Sequence, residues 1–177
     1  MSEGVLTTSE LRDALEDIAI RLDQAHIQAR IYIVGGAALA LADGYRDSTR
    51  DVDAIYSPSN EIENYAAQVA RDRGLPENWL NNKVKGFVPF FRDDPGQRPI
   101  FTIGSVTITA ASHEVLLAMK IGASRGRIDR EDIRFLIRAT GIKSKEEAIA
   151  LYEEYFPEDP LTPRASPVLD SILGRSD

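Results

Sequence analysis

The chain contains no cysteine, which excludes disulfides, thiolate metal sites and a cysteine nucleophile. Histidine is nearly absent as well, and His26 and His113 are too few and too scattered for a histidine-based zinc site. No apolar run approaches the roughly 20 residues that cross a bilayer. The Met1–Glu10 stretch is polar and acidic, without the basic and apolar regions of a secretory signal, so the expected compartment is the cytoplasm and no membrane partner is expected. Metal chemistry in such a chain has to run on carboxylates, which favour magnesium, with manganese possible.

What remains is ample for a folded domain: 177 residues, of which 43% are hydrophobic. We expect a single domain over 1–177, with a sheet-containing core over 1–111 and a helical part with a proline-rich strap over 112–177. The net charge of −7 argues at first sight against a nucleic-acid partner. Its distribution says more. Residues 1–79 carry 7 basic and 14 acidic side chains, residues 80–145 carry 12 and 6, and residues 146–177 carry 2 and 8. A polyanion can dock on the basic middle third, with Lys83, Lys85, Arg125 and Arg127 as candidate contacts. The alternative is that Arg127, Arg130, Arg134 and Arg138 are solvated helix faces.

Thr7 with Glu10 forms a capping-box pattern before an amphipathic helix that reaches about Gln28. Ile31–Val34 reads as a strand, Gly35-Gly36 as a tight turn, and Ala37–Ala42 as a short helix ending near Gly44. A second strand runs Asp51–Tyr56, and a helix capped at Ser59 closes at Gly74. Trp79 and Leu80 read as a helical turn and Val84–Phe91 as a strand. Ile100–Ile103 and Val106–Ile108 flank Gly104-Ser105 as a hairpin. Helices follow from Ser112 to Ala123, from Asp129 to Thr140 and from Ser144 to Tyr155. Pro157, Pro160, Pro163 and Pro167 then read as a strap rather than a helix. The order implies an α+β (α/β-like) fold, a mixed sheet packed by helices with a helical C-terminal half.

Two features carry chemistry. Glycines at a strand-to-helix turn let backbone N–H groups approach a ligand, and the helix N-terminus favours anions. Alone, this feature is equally a tight turn. Asp51-Val52-Asp53 adds to it, because residues i and i+2 of a strand share a face and two carboxylates there repel. A divalent cation relieves that repulsion, and a pair of such ions clamps the attacking and leaving oxygens of a phosphoryl displacement.

The run from Gly35-Gly36 to Asp51-Val52-Asp53 resembles the metal-binding signature of the DNA polymerase β-like nucleotidyltransferase superfamily. Arg46, Ser48 and Thr49, lying before Arg50-Asp51-Val52-Asp53, sharpen the likeness to the bacterial AbiEii/MenT-like nucleotidyltransferase toxins. Trp79-Leu80-Asn81 with Val84-Lys85-Gly86-Phe87 resembles their central segment. Leu116-Leu117-Ala118-Met119-Lys120, with Asp129-Arg130-Glu131-Asp132 after it, resembles their lysine helix and the acidic helix start that follows. Leu161-Thr162-Pro163-Arg164 resembles their C-terminal strap.

The resemblance implies a minimal nucleotidyltransferase fold and transfer of a nucleoside monophosphate from an NTP to the 3′ end of tRNA. It further implies that a small antitoxin protein neutralises the enzyme. By position, Asp51 and Asp53 would hold magnesium. Gly35 and Gly36 would contact the triphosphate, with Arg46, Ser48 and Thr49 beside it, and Lys120 would pair with a phosphate oxygen. Lys120 also reads as a snorkelling lysine, and Arg46 as an ion-pair partner of Asp47 or Asp43. Many superfamily members add a third carboxylate on a neighbouring strand, which Ile100–Ile103 and Val106–Ile108 lack. Asp132 or Asp129 would replace it, although both also suit a helix N-terminus. His113 reads as a surface or capping-turn residue, and Trp79, Phe87, Phe90 and Phe91 as core or as base-stacking groups. The alternative functions are a same-fold enzyme acting on an antibiotic or protein hydroxyl, and a catalytically silent nucleotide-binding or interaction module.

Overall fold

The computed structural model describes residues 5–89, 93–125 and 127–174, with the side chains of 127 and 128 outside that description. The chain divides into two compact units. One comprises Met1–Gly86 with Gln97–Ala111, and the other Phe87–Gly96 with Ser112–Asp177.

The first unit is built on a five-stranded mixed sheet. A short strand β1 (Leu6–Thr7) leads into helix α1 (Thr8–Gln24). The Thr7 hydroxyl accepts from the Glu10 N–H and the Glu10 carboxylate accepts from the Thr7 N–H, a complete capping box. Leu11, Ala14, Leu15, Ile18, Ala19 and Leu22 form its buried stripe. The helix stops four residues short of the expected Gln28, because the chain turns at His26, which has a positive φ, before strand β2 (Ala29–Ile33). After β2 come α2 (Gly35–Asp43), β3 (Ser48–Thr49), β4 (Val52–Ser57) and α3 (Ser59–Arg73). The strand β5 (Leu80–Asn81), a 3₁₀ turn over Lys83–Gly86, β6 (Arg98–Ile103) and β7 (Val106–Ala110) complete the unit.

The sheet order is β5-β4-β2-β7-β6. Strand β4 runs antiparallel to β2 and parallel to β5, while β7 runs parallel to β2 and antiparallel to β6. Strands β1 and β3 form a separate antiparallel ribbon. Ile31 and Ile33 of β2 register with Tyr56 and Ala54 of β4 and with Ile108 and Ala110 of β7, and all six are buried. Alternation therefore turns Tyr32, Asp53, Ile55, Thr107 and Thr109 to the other face, where each is half-exposed.

Two sequence expectations are corrected here. Of the helical turn expected at Trp79 and Leu80, Leu80 belongs instead to a strand: with Asn81 it pairs in parallel with Val52 and Asp53, a contact that local periodicity does not register. The segment read as a strand from Val84 opens instead in the 3₁₀ turn, and its Phe90 and Phe91 lie outside the described residues.

The second unit is helical: α4 (His113–Ala123), α5 (Arg127–Thr140), α6 (Lys145–Tyr155) and α7 (Ala165–Leu173). The hydroxyl of Ser112 caps α4 by accepting from the Val115 N–H. Helix α4 packs on α5 and α6, and α7 packs on both α5 and α6. Gly122 is what lets α4 approach α6, since a Cβ there would lie 2.9 Å from the Tyr152 ring. Lys145 ties α6 to α7 through Asp170 and Ser166. The proline-rich strap is thereby corrected: Pro167 sits in the first turn of α7, where its missing N–H has no intrahelical partner to lose.

Candidate active site

The chemistry-bearing residues of the first unit converge on the turn from β2 into α2. Gly35 opens α2 at φ +65°, a conformation that glycine adopts without strain. The residue before it, Val34, offers no side-chain cap, so the N–H groups of the first turn face outward from an uncapped helix N-terminus. A Cβ added at Gly35 would lie 3.6 Å from Asp53 Oδ2. One added at Gly36 would lie 3.4 Å from Thr49 Oγ1 and 3.6 Å from a guanidinium nitrogen of Arg46. The two glycines thus leave a small cradle rimmed by Asp53, Thr49 and Arg46.

Asp51 immediately precedes β4, and Asp53 is its second residue. The backbone around them is tightly held. The Asp53 carbonyl accepts from the Val34 N–H at 2.9 Å, and the Val52 N–H donates to the Trp79 carbonyl at 2.6 Å. Thr49 Oγ1 donates to the Asp51 carbonyl at 3.3 Å, and Asn81 Nδ2 donates to Asp51 Oδ2 at 3.3 Å. Ser48 belongs to the β1–β3 ribbon, opposite Thr7. Asp43 takes Arg98 as a salt-bridge partner, and the same guanidinium donates to the Ala111 carbonyl. Asn81 was not singled out by the sequence as a site residue. Its signal is its register opposite Asp53, which exists only once β5 is recognised.

Lys120, Asp129 and Asp132 come together in the second unit. The Lys120 ammonium lies 2.7 Å from Asp129 Oδ1 and 2.9 Å from Asp132 Oδ2, and all three residues are buried. Asp129 also accepts from the Arg125 N–H and guanidinium. Burial pushes the Asp129 carboxyl upward, but the hydrogen bonds from Lys120 and Arg125 outweigh it and hold the group below its ordinary range. Asp129 is not an N-cap: it lies within the first turn of α5, reaching back to the Arg125 N–H.

Of the basic candidates, Lys83 and Lys85 are exposed on the 3₁₀ turn directly after Asn81, and Arg125 is exposed while paired to Asp129. Arg127 begins α5, and its side chain lies outside the described residues. Trp79 is core, fully buried with its indole N–H on the Ala66 carbonyl. Phe87, by contrast, is 73% exposed. His113 packs its ring edge-on to Phe135.

A family model described as "Nucleotidyltransferase of unknown function (DUF6036)" matches residues 9–142, from α1 through α5. The chain belongs to this nucleotidyltransferase family. No curated protein and no solved structure matches the chain. In this nucleotidyltransferase, the donor set around β4 fits a hard divalent cation. The strand starts one residue later than expected, so Asp51 flanks it while Asp53 lies in it; the two could supply carboxylate oxygens, and the group bonded to Asp51 Oδ2 is a neutral amide rather than a competing cation. Among the described residues no group of three His, Cys, Asp or Glu side chains is gathered for an ion. Substrate phosphates and water would complete the coordination, as is usual for magnesium. No described helix of this nucleotidyltransferase is long and apolar enough to cross a membrane.

Proposed function

We propose that the protein transfers a nucleoside monophosphate from an NTP to the 3′ hydroxyl of tRNA, as the toxin of a bacterial toxin–antitoxin pair acting in the cytoplasm. The observation that carries this reading is the meeting of Asp53, Thr49 and Arg46 at the Gly35-Gly36 helix start, with Asp51 two residues before Asp53. The triphosphate lies along that cradle, its oxygens on the first-turn N–H groups of α2 and on Arg46, with Thr49 beside it. Ser48 acts by holding the ribbon that carries Thr49. Asp51 and Asp53 would hold magnesium, which would offset the charge on the reacting phosphate and the leaving pyrophosphate. The acceptor oxygen attacks the α-phosphorus, the bond to pyrophosphate breaks, and the hydroxyl proton passes to solvent. By the resemblance alone, Lys120 would pair with a phosphate oxygen and Asp132 would stand in for a third carboxylate; within their own unit Asp129 and Asp132 hold the ammonium.

The choice of tRNA is supported by the likeness of the Lys120–Asp132 segment to the toxin enzymes and by the exposed Lys83 and Lys85 next to the site. The test is incubation of the purified chain with each radiolabelled NTP, magnesium and total tRNA. Label should enter tRNA, and periodate oxidation of the 3′ terminus should abolish it. Growth arrest on induction, relieved by a small protein encoded alongside, would be the cellular counterpart. Label found on protein or a drug but not on tRNA overturns the acceptor, and no transfer to any acceptor overturns the enzyme.

A further inference from the structure

We infer that Asn81 is a positioning residue for Asp51, orienting that carboxylate for the cation without neutralising it; the inference rests on the reading of Asp51 as a metal ligand. Asn81 is a polar side chain only 7% exposed, and burying an amide is unfavourable unless both its ends are bonded. Here both ends are used. Oδ1 accepts from the Lys83 N–H at 3.1 Å, and Nδ2 donates to Asp51 Oδ2 at 3.3 Å.

Those two partners also decide which way the amide points. Flipping it would set an oxygen against the Asp51 carboxylate and an NH₂ against the Lys83 N–H, losing both bonds. The Lys83 bond is a two-residue backward turn that fixes the side chain locally. The parallel pairing of β5 with β4 places Asn81 directly beside Asp53. Thr49 holds Asp51 at its carbonyl while Asn81 holds it at its carboxylate, so the residue is fixed at both ends.

Residue type matters as much as place. A lysine or arginine at 81 would offset the charge that attracts the ion, and an aspartate would add repulsion with no donor. An asparagine donates one hydrogen bond and leaves the full negative charge on Asp51. Groups that orient a metal ligand in this way are worth about 10–100-fold in metal affinity when removed.

The experiment is Mn²⁺ binding to the full chain without nucleotide, read by electron paramagnetic resonance, with a thermal melt of each variant. Asn81→Ser keeps an oxygen that can accept from the Lys83 N–H, as serine turns do, but cannot reach Asp51. It should melt close to the wild type and bind Mn²⁺ at least about tenfold more weakly. Asn81→Leu, which keeps the volume and removes both bonds, should show the same loss. In transfer assays raised magnesium should restore the rate of Asn81→Ser, moving the half-saturating metal concentration rather than the maximal rate. Asp51→Asn serves as the reference. If it leaves Mn²⁺ binding intact, the metal-ligand reading itself fails. If it abolishes binding while a folded Asn81→Ser or Asn81→Leu keeps wild-type affinity, the positioning role alone is overturned.

Discussion

Each unit of the molecule contains two aspartates close in sequence, and the two pairs have opposite surroundings. Asp51 and Asp53 are half-exposed, and the partner of the Asp51 carboxylate is an uncharged amide. Asp129 and Asp132 are fully buried, with the Lys120 ammonium between them and the Arg125 guanidinium on Asp129. The amide beside Asp51 leaves the negative charge of that carboxylate in place. The second pair has its charge matched by the chain itself. Environment, not residue type, separates the two pairs.

The largest effect that can break this contrast is on turnover. Asp51→Asn or Asp53→Asn should cut nucleotide transfer by on the order of a thousandfold, comparable to losing a major source of charge stabilisation. The melting temperature should change little, because both residues are half-exposed. Transfer at near wild-type rate in either variant would remove the first pair from the chemistry.

The second pair should respond in stability. Lys120→Met leaves two buried carboxylates without their cation and should cost about 3 kcal/mol or more in urea unfolding. Adding Asp129→Asn and Asp132→Asn to Lys120→Met should recover most of that loss, since no buried charge is then stranded and the Arg125 side chain is exposed to water. A single variant as stable as the wild type would mean that the cluster does not hold its unit together.

Acid sharpens the same distinction. The Asp129 carboxyl is held below its ordinary value of 3.8, so its contribution is fully present above that value and lost as pH falls through the depressed native value. Stability below about pH 4 should therefore fall more steeply in the wild type than in Asp129→Asn. At the alkaline end Tyr56, raised to about 12 by burial and by Glu63, should ionise late in an absorbance titration. Its contribution persists below the ordinary phenol value of 10 and fades as pH climbs toward 12.

The smallest expected effect concerns RNA. Lys83→Glu with Lys85→Glu should weaken tRNA binding severalfold and reduce its salt dependence, by about 0.7–0.9 in slope for each lost phosphate contact. NTP binding should be nearly unchanged. Equal loss for both ligands would place these lysines with the nucleotide instead.

Much of this was legible in the residues because it is local. The Thr7–Glu10 capping box, the Gly74 helix end and the Gly104-Ser105 hairpin each depend on neighbours within a few positions. The fold class followed from their order. The parts that were misread depend on distant partners. Strand β5 is two residues long, too short for a periodic signal, and exists because Trp79, Leu80 and Asn81 lie along β4. For the same reason Asn81 did not stand out beside Asp51, 30 residues earlier. The salt bridge from Lys120 to Asp129 crosses from one helix to the next, outside any i,i+4 pattern. Pro167 was misread because a proline ends most helices yet is tolerated in a first turn.

The first unit is discontinuous: the chain leaves it after Gly86 and returns at Gln97 for the β6–β7 hairpin. During synthesis, β2 and β4 can pair early, but the parallel neighbour of β2 emerges only with Val106–Ala110. A nascent chain therefore carries its acidic strand already paired while one edge of β2 is still open. That edge is a template for a wrong partner until the last strand arrives. A pause that comes before Val106–Ala110 have left the ribosome would prolong the exposure, whereas a pause after their release would not.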